Sequence, residues 1–312
     1  MARGRRAPEV DRLVPPRPTT ADFHAHTTRS DGLLEPAELV AQAAAAGVRT
    51  LAIADHDTLA GCRELVAPGA APPPAGLELI PAVEINATAR ELPDLPEGEL
   101  HLVGLGVDPA DDAFEALLDR QRDARRRRFE EMIERLREID LPIDEALAAL
   151  HSLERPADEA FGRPTIARAL VHAGHARDVP DAFARIVGRG QPGYVPRRGM
   201  GPREAIGAIV AAGGIPVLAH FYAAPTLPAV LDELIELGLR GLEVHHRSFS
   251  RALVEQMAEI AARRRLLPSG GTDFHGDECT YAEAIAETWV PEEVAEGVLA
   301  ALGRLPAAGT AR

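Results

Sequence analysis

From Asp22 onward, short apolar runs with β-branched residues alternate with longer runs rich in alanine and leucine. That is the pattern of β-α units around a parallel sheet or barrel, and it limits the fold more than any other feature of the chain. Strands are expected at Val48–Ala54, Leu77–Ile85, Leu100–Val107, Ile215–Ala219 and Gly241–Val244, each short and bounded by Gly or Pro. The first helix is as clearly marked: Glu35 and Pro36 open it, Leu39, Val40 and Ala43 form its buried stripe, and Gly47 closes it. No solenoid-type repeat is visible.

The alternation breaks between residues 111 and 197, which read as an inserted helical lobe. Helices are expected at Asp111–Ile139, Asp144–Leu150, Thr165–Ala173 and Pro180–Val187, with no strand until Tyr194 and Val195. Gly188, Gly190, Pro192 and Gly193 form the exit, and an amphipathic helix from Pro202 to Gly213 resumes the core. The organisation is therefore α/β: a barrel built from residues 19–110 and 198–312, the lobe at 111–197, and a disordered tail at 1–18. The tail is arginine- and proline-rich, with no apolar stretch behind its arginines, so it is not a secretory signal. Residues Ala67 to Gly76 are a surface loop on composition.

At 312 residues the chain buries an ample core. Its 34 Lys plus Arg against 48 Asp plus Glu, a net charge of −14, argue against duplex DNA and anionic membranes as partners. Cys62 and Cys279 cannot make a disulfide framework, and no apolar run reaches the ~20 residues of a bilayer span, so a cytoplasmic protein is expected. Cys279 reads as a free thiol. Oligomeric state is not encoded in any of these features.

The chemistry lies where the apolar runs meet polar residues. His24, His26, Asp31, His56, Glu84, His101, His220, Asp273 and His275 sit in short clusters beside those runs. One HxH pair is weak evidence, because paired histidines on a strand are common. Taken jointly the clusters would converge at one barrel mouth, where parallel α/β folds keep their sites. Imidazole and carboxylate without thiolate is the donor set of catalytic manganese, iron or zinc. Nine donors exceed the needs of one ion and fit two or three, with Glu84 as a candidate bridge.

Those residues resemble a family. DFHAHTTRSDG at 22–32, ADHDT at 54–58, PAVEIN at 81–86, HLVGLGVD at 101–108, LAH at 218–220 and GGTDFHG at 270–276 are similar in order and spacing to the PHP (polymerase and histidinol phosphatase) superfamily. The resemblance covers about Ala21 to Gly276. It implies a distorted (β/α)7 barrel, the PHP fold, with a trinuclear metal centre. Carried over, His24, His26, Glu84 and Asp273 would hold one ion, Glu84, His101 and His220 a second, and Asp31, His56 and His275 a third, the last trio being the catalytic set. The insertion, with GRPTIARAL at 162–170 and GRGQPGYVP at 188–196, resembles the subgroup acting on nucleoside 3′,5′-bisphosphates, whose relatives include 5′-3′ oligoribonucleases. Thr165, Gln191 and Phe221 depart from that subgroup's usual His, Lys and Pro.

The chemistry also follows from the donors. Divalent ions lower the pKa of bound water to roughly 7, supplying hydroxide, and can clamp both oxygens of an in-line displacement. Three carboxylates against three such ions would leave about +3 of formal charge, so a phosphomonoester fits. Arginine forks should then recognise the substrate. Arg163, at a helix start, is the first candidate; Arg125, Arg128 and Arg189 follow, with Tyr194 beside them. Asp57 either orients a ligand histidine or caps a turn. His245 and His246 read as a polar loop, and His151, His172 and His175 as surface residues. The expected activity is hydrolysis of small phosphorylated nucleotides by a metal-bound hydroxide. The alternatives are 5′-3′ exoribonuclease action on short RNA, histidinol-phosphate phosphatase, and a non-enzymatic metal-binding regulatory module.

Overall fold

A computed structural model of the protein describes residues 18–88, 98–150, 162–276 and 279–304. The expected tail, save Pro18, and His151 lie outside these residues. Seven strands, β1 (Ala21–Ala25), β2 (Thr50–Ile53), β3 (Glu78–Thr88), β4 (Glu99–Leu105), β5 (Ile215–Leu218), β6 (Gly241–His246) and β7 (Leu267–Gly271), pair in chain order. All pairings are parallel except β3 with β4 and β4 with β5, which are antiparallel. A parallel bridge between Ala25 and Phe274 draws β7 against β1, so the mixed sheet is nearly closed into a barrel.

The helices follow from local punctuation. Helix α1 (Pro36–Ala45) opens on a reciprocal Glu35–Glu38 capping box with proline in its first turn. It is followed by α2 (Ala60–Val66). Helix α3 (Asp112–Glu138) is capped by Asp111, which accepts from the amides of Ala113 and Phe114 at 2.9 and 3.0 Å. Next come α4 (Asp144–Leu150), α5 (Arg163–His172) and α6 (Val179–Ala182), which runs into a π-helical turn at Phe183–Val187. The outer shell is completed by α7 (Pro202–Ala211), α8 (Pro228–Glu236), α9 (Arg251–Arg264), α10 (Tyr281–Glu287) and α11 (Glu292–Ala301).

Two-residue periodicity fills the barrel. Ala21 and Phe23, Ala52 and Ala54, Ile80 and Ala82, Val103 and Leu105, and Val217 and Ala219 form one buried cluster, plugged by Val290, Val294, Ala295 and Val298 from α11 and the segment before it. A separate buried cluster joins α3 to α6 and the turn after it, from Phe129, Met132 and Leu136 through Ile166 and Leu170 to Ile186 and Val187.

Two expectations are corrected. Tyr194 and Val195 form no strand, having no ladder partner; the Val195 carbonyl instead accepts from Arg128 Nε at 2.8 Å. Strand β4 also departs from the repeated β-α pattern. It runs antiparallel to β3, so His101 meets the site from the start of its strand rather than its end.

Candidate metal centre

The same periodicity that fills the barrel builds the site one layer higher. On β3, Ile80 and Ala82 face inward, and Glu84 and Asn86 continue that face; on β4, Leu105 and Val103 lead to His101. His24 and His26 leave β1 where its register with β2 shifts between Asp22 and Ala25. The loop after them turns back under Asp55, whose carboxylate accepts from Thr27 N, Thr27 Oγ1 and Ser30 Oγ, each at 2.7 Å. That turn delivers Asp31 to the cluster. A Cβ at Gly32 would lie 2.6 Å from the His26 carbonyl oxygen, so glycine is required there.

All nine expected donors come together. Glu84 is the centre: its Oε1 lies 2.7 Å from His101 Nδ1 and 3.1 Å from His220 Nε2. Its Oε2 lies 2.8 Å from His56 Nδ1, 3.3 Å from His26 Nε2 and 3.4 Å from His24 Nε2. Asp273 Oδ1 is 3.2 Å from His26 Nε2, and His275 Nε2 is 3.3 Å from Asp31 Oδ1. Side chains of His24, His26 and Glu84 are at most 1% exposed, whereas those of His101, His220, Asp273 and His275 are about a quarter exposed. The cluster thus has a dry floor and an open mouth.

The donor set fits divalent cations. Asp31 Oδ1 and Glu84 Oε2 are buried and receive no hydrogen bond, a costly arrangement for a carboxylate unless a cation satisfies it. With Nδ1 donating to Glu243 at 3.0 Å, a neutral His24 ring carries its lone pair on Nε2, which faces His26 Nε2 at 3.1 Å. Two nitrogens on one ion with bonds near 2.1 Å would be separated by roughly that distance. Burial and the neighbouring His275 push His26 down to about 3, so its ring is neutral and able to ligate. Burial works against the ionised forms of Glu84 and Asp31, yet the surrounding imidazoles hold both well below the usual carboxylate range. Three groups have donors mutually close enough for one ion: His26, Asp31, His56 and His275; His24, His26 and Glu84; His56, Glu84 and His101. His26, His56 and Glu84 are each shared and His220 and Asp273 fall in none of the three groups, a partition that differs from the one the family resemblance implies.

Backbone strain accompanies the site. His220 and Asp273 have φ of 30° and 49°, and Asp57 has φ of 54°, conformations rare outside glycine and concentrated at functional sites. Glu243 supports the first of these, accepting from the His220 amide at 2.6 Å while it holds His24. From the same strand, His246 Nε2 lies 3.4 Å from Asp273 Oδ2, so His246 reaches the site. His245 turns away, edge-on to Trp289.

Beside the cluster lies a small arginine pocket of about 10 Å³, room for about one water, lined by Arg125, Arg128, Phe129, Met132, Gly162, Arg163, Ile166 and Arg197. Arg125 pairs with Asp57 through Nε and Nη2, at 3.0 and 2.7 Å. Glu99 takes Arg128 at 3.2 Å, Arg163 at 3.4 Å and Arg197 at 3.2 Å. Arg128 and Arg163 also lie over the ring of Tyr194, at 5.5 and 5.9 Å. Four guanidiniums against two carboxylates leave a formal excess of two positive charges. At Gly162 a Cβ would stand 3.6 Å from Arg125 Nη1 and 3.9 Å from Asp31 Oδ2, so one glycine separates this pocket from the metal ligands. Arg189 is exposed at the rim, with its guanidinium against Gly98.

Asp57 bonds no histidine ring: its carboxylate takes Arg125 and the Asn86 amide, so it organises the pocket rather than a ligand. Sequence reasoning missed Arg197, Glu243, Asp55 and Asn86. Only Asn86 carried a usable signal, its position two residues after Glu84 on the inward face.

No family model matches the chain. It is 35% identical over 285 residues to the 5′-3′ exoribonuclease Rnm of Escherichia coli, covering 89% of this chain and 92% of that protein. It is 32% identical over 264 residues to the 3′,5′-nucleoside bisphosphate phosphatase of Chromobacterium violaceum, covering 81% and 86%. Among solved structures it resembles one described as a metal-dependent phosphoesterase from Bifidobacterium adolescentis, with 33% identity, a TM-score of 0.73, and coverage of 91% and 97%.

Proposed function

The chain belongs to the PHP superfamily of metal-dependent phosphoesterases, and on that premise we propose that it hydrolyses small nucleotides carrying two phosphates, the 3′,5′-bisphosphate type. The observation that carries this reading is the adjacency of two anion-directed sites across Gly162. A substrate with one phosphate would use only half of this arrangement.

His24, His26, Asp31, His56, Glu84, His101, His220, Asp273 and His275 are the groups that would hold the cations, which we take to be three ions of manganese, iron or zinc. When bound, such ions supply a water of lowered pKa and Lewis-acid stabilisation of the phosphoryl oxygens. The chain's own residues do the rest. Arg125, Arg128, Arg163 and Arg197, once their side chains part to widen the small cavity between them, would hold the phosphate that is not cleaved, their forks fixing its orientation. Asp31, with His56 and His275 against it, is the ligand beside Gly162, so the scissile phosphate would be presented there. Tyr194 stacks two of the guanidiniums and limits their motion. Asp57 and Glu99 keep the four arginines from repelling one another.

A second reading is 5′-3′ trimming of short RNA, favoured by the similarity to an exoribonuclease and by the partly open mouth at His101, His220 and His275. Among the described residues no helix is long and apolar enough to cross a membrane. We take the setting to be cytoplasmic, since two cysteines in 312 residues supply no disulfide framework.

The test is phosphate release by manganese-loaded protein from 3′,5′-bisphosphates, 3′-mononucleotides, 5′-mononucleotides, histidinol phosphate and 5′-phosphorylated short RNA. A bisphosphate should show a KM at least tenfold below that of the 3′-mononucleotide, which lacks the second anchor. Equal KM values would refute the two-site reading, and a ladder of mononucleotides from RNA with no bisphosphate cleavage would decide for the exonuclease.

A further inference from the structure

Asn86 stands between the two halves of the site. On β3 it is the ladder partner of His101 on β4, and it is 3% exposed. With its amide oriented to satisfy both ends, Oδ1 accepts from His101 Nε2 at 3.1 Å, Arg197 Nη2 at 3.1 Å and Arg125 Nη2 at 3.3 Å, and Nδ2 faces His56 Nδ1 at 3.0 Å. The main chain is pinned too: its N–H donates to Asp57 Oδ1 at 3.3 Å, and its carbonyl accepts from Gln121 Nε2 at 2.8 Å. An amide oxygen has two lone pairs, so three donors leave it no capacity for substrate.

The contact with His101 decides which ring nitrogen can ligate. A hydrogen on Nε2, donated to Asn86, leaves the Nδ1 lone pair 2.7 Å from Glu84 Oε1. Two acceptors that close are stable across a cation. The same oxygen that sets this tautomer restrains two of the arginines of the anion pocket.

We propose that Asn86 is a positioning residue that couples the anion pocket to the metal centre: one amide oxygen fixes the tautomer of His101 and holds the Arg125 and Arg197 guanidiniums in place. This rests on the reading above, in which the cluster holds divalent ions and the pocket holds a phosphate. Because one oxygen holds groups of both sites, disturbing Asn86 should weaken both together.

The experiment uses chelator-stripped full-length protein and calorimetric titration with manganese alone and with inorganic phosphate alone. Wild type is compared with Asn86→Ala, Asn86→Ser and Asn86→Asp, and each variant's melting temperature is recorded. Removing the acceptor in Asn86→Ala, or withdrawing it from reach in the shorter Asn86→Ser, should weaken both affinities by about tenfold, the lower end of the range for groups supporting metal ligands. Asn86→Asp keeps an acceptor for the same three donors and should hold manganese affinity at or above the wild-type value, while its added negative charge weakens phosphate binding. If Asn86→Ala and Asn86→Ser melt lower but bind both probes as wild type does, the residue is merely structural and the proposal falls. It falls equally if only one affinity changes in Asn86→Ala, or if Asn86→Asp loses manganese affinity as Asn86→Ala does. Wild-type protein that binds no manganese would refute the metal reading itself, whereas unchanged affinities in the variants refute only this role.

Discussion

Replacing Glu99 by glutamine should lower stability and raise phosphate affinity at once, a pairing of signs that few structural defects produce. The Glu99 side chain is 3% exposed and lies 3.2, 3.4 and 3.2 Å from Arg128, Arg163 and Arg197. At an effective dielectric near 20, each contact contributes about 5 kcal/mol of attraction, largely offset by the cost of burying the charges. Removing one partner from such a buried set costs about 3–5 kcal/mol. For a chain of this size that is a fall in Tm of roughly 5–8 °C. The loss of a negative charge also raises the pocket's formal excess from two to three. An anion about 6 Å away is then relieved of about 3 kcal/mol of repulsion at the same dielectric, which makes a tenfold gain in affinity a conservative expectation. The assay is thermal melting of chelator-stripped protein with and without inorganic phosphate, with calorimetry for the affinity. Glu99→Gln should melt lower than wild type without phosphate and gain more from its addition. An unchanged melting temperature, or a weaker phosphate affinity, would refute the assignment of this pocket to an anion.

Three further outcomes follow from other parts of the structure. Glu243→Gln loses the charge that holds His24 Nδ1 and the His220 amide, and should weaken manganese binding ~10–100-fold with little change in KM for substrate, measured by metal titration beside steady-state kinetics. In Gly271→Ala the new methyl would lie 2.5 Å from His24 Cβ and 2.6 Å from its amide nitrogen at the seam between β1 and β7. That variant should lose about 1–3 kcal/mol by denaturant titration, and a loss within error would show the seam to be more yielding than its geometry implies. Burial raises the Cys62 thiol to about 12, so iodoacetamide at pH 8 should label half-exposed Cys279 in the native protein and reach Cys62 only after unfolding, as peptide mass mapping would show.

Much of the barrel was legible because its signals are local. Gly47, Pro36 and the period-two apolar runs determine elements without reference to distant partners, and the histidine motifs stand directly beside those runs. The antiparallel turn of β4 was not legible, since an apolar run carries no mark of direction. The arginine pocket was legible only as suspicion: Arg125 interrupts an apolar stripe, and its significance lies in Asp57, 68 positions earlier in the chain. Arg197 looked like one of two arginines in a loop, and Glu243 like an ordinary strand residue. Their roles arise from long-range pairings that composition does not encode. Tyr194 and Val195 show the converse error, in which strand-forming residues found no ladder and served instead to cover and anchor arginines.

Helix α3 has apolar residues at both ends and buried polar ones in the middle. Phe114 and Leu118 pack into the core beneath β3, β4 and α7, whereas Phe129, Met132 and Leu136 belong to the helical cluster, with Gln121, Arg125 and Arg128 between them. A helix of 27 residues spans about 40 Å, so a single rod is clamped in two separate cores. Native-state hydrogen exchange along it should therefore show two regimes, each following the core that shields that end. Its polar midsection lies at the joint, so a shift of one core against the other would move Arg125 and Arg128, which line the arginine pocket.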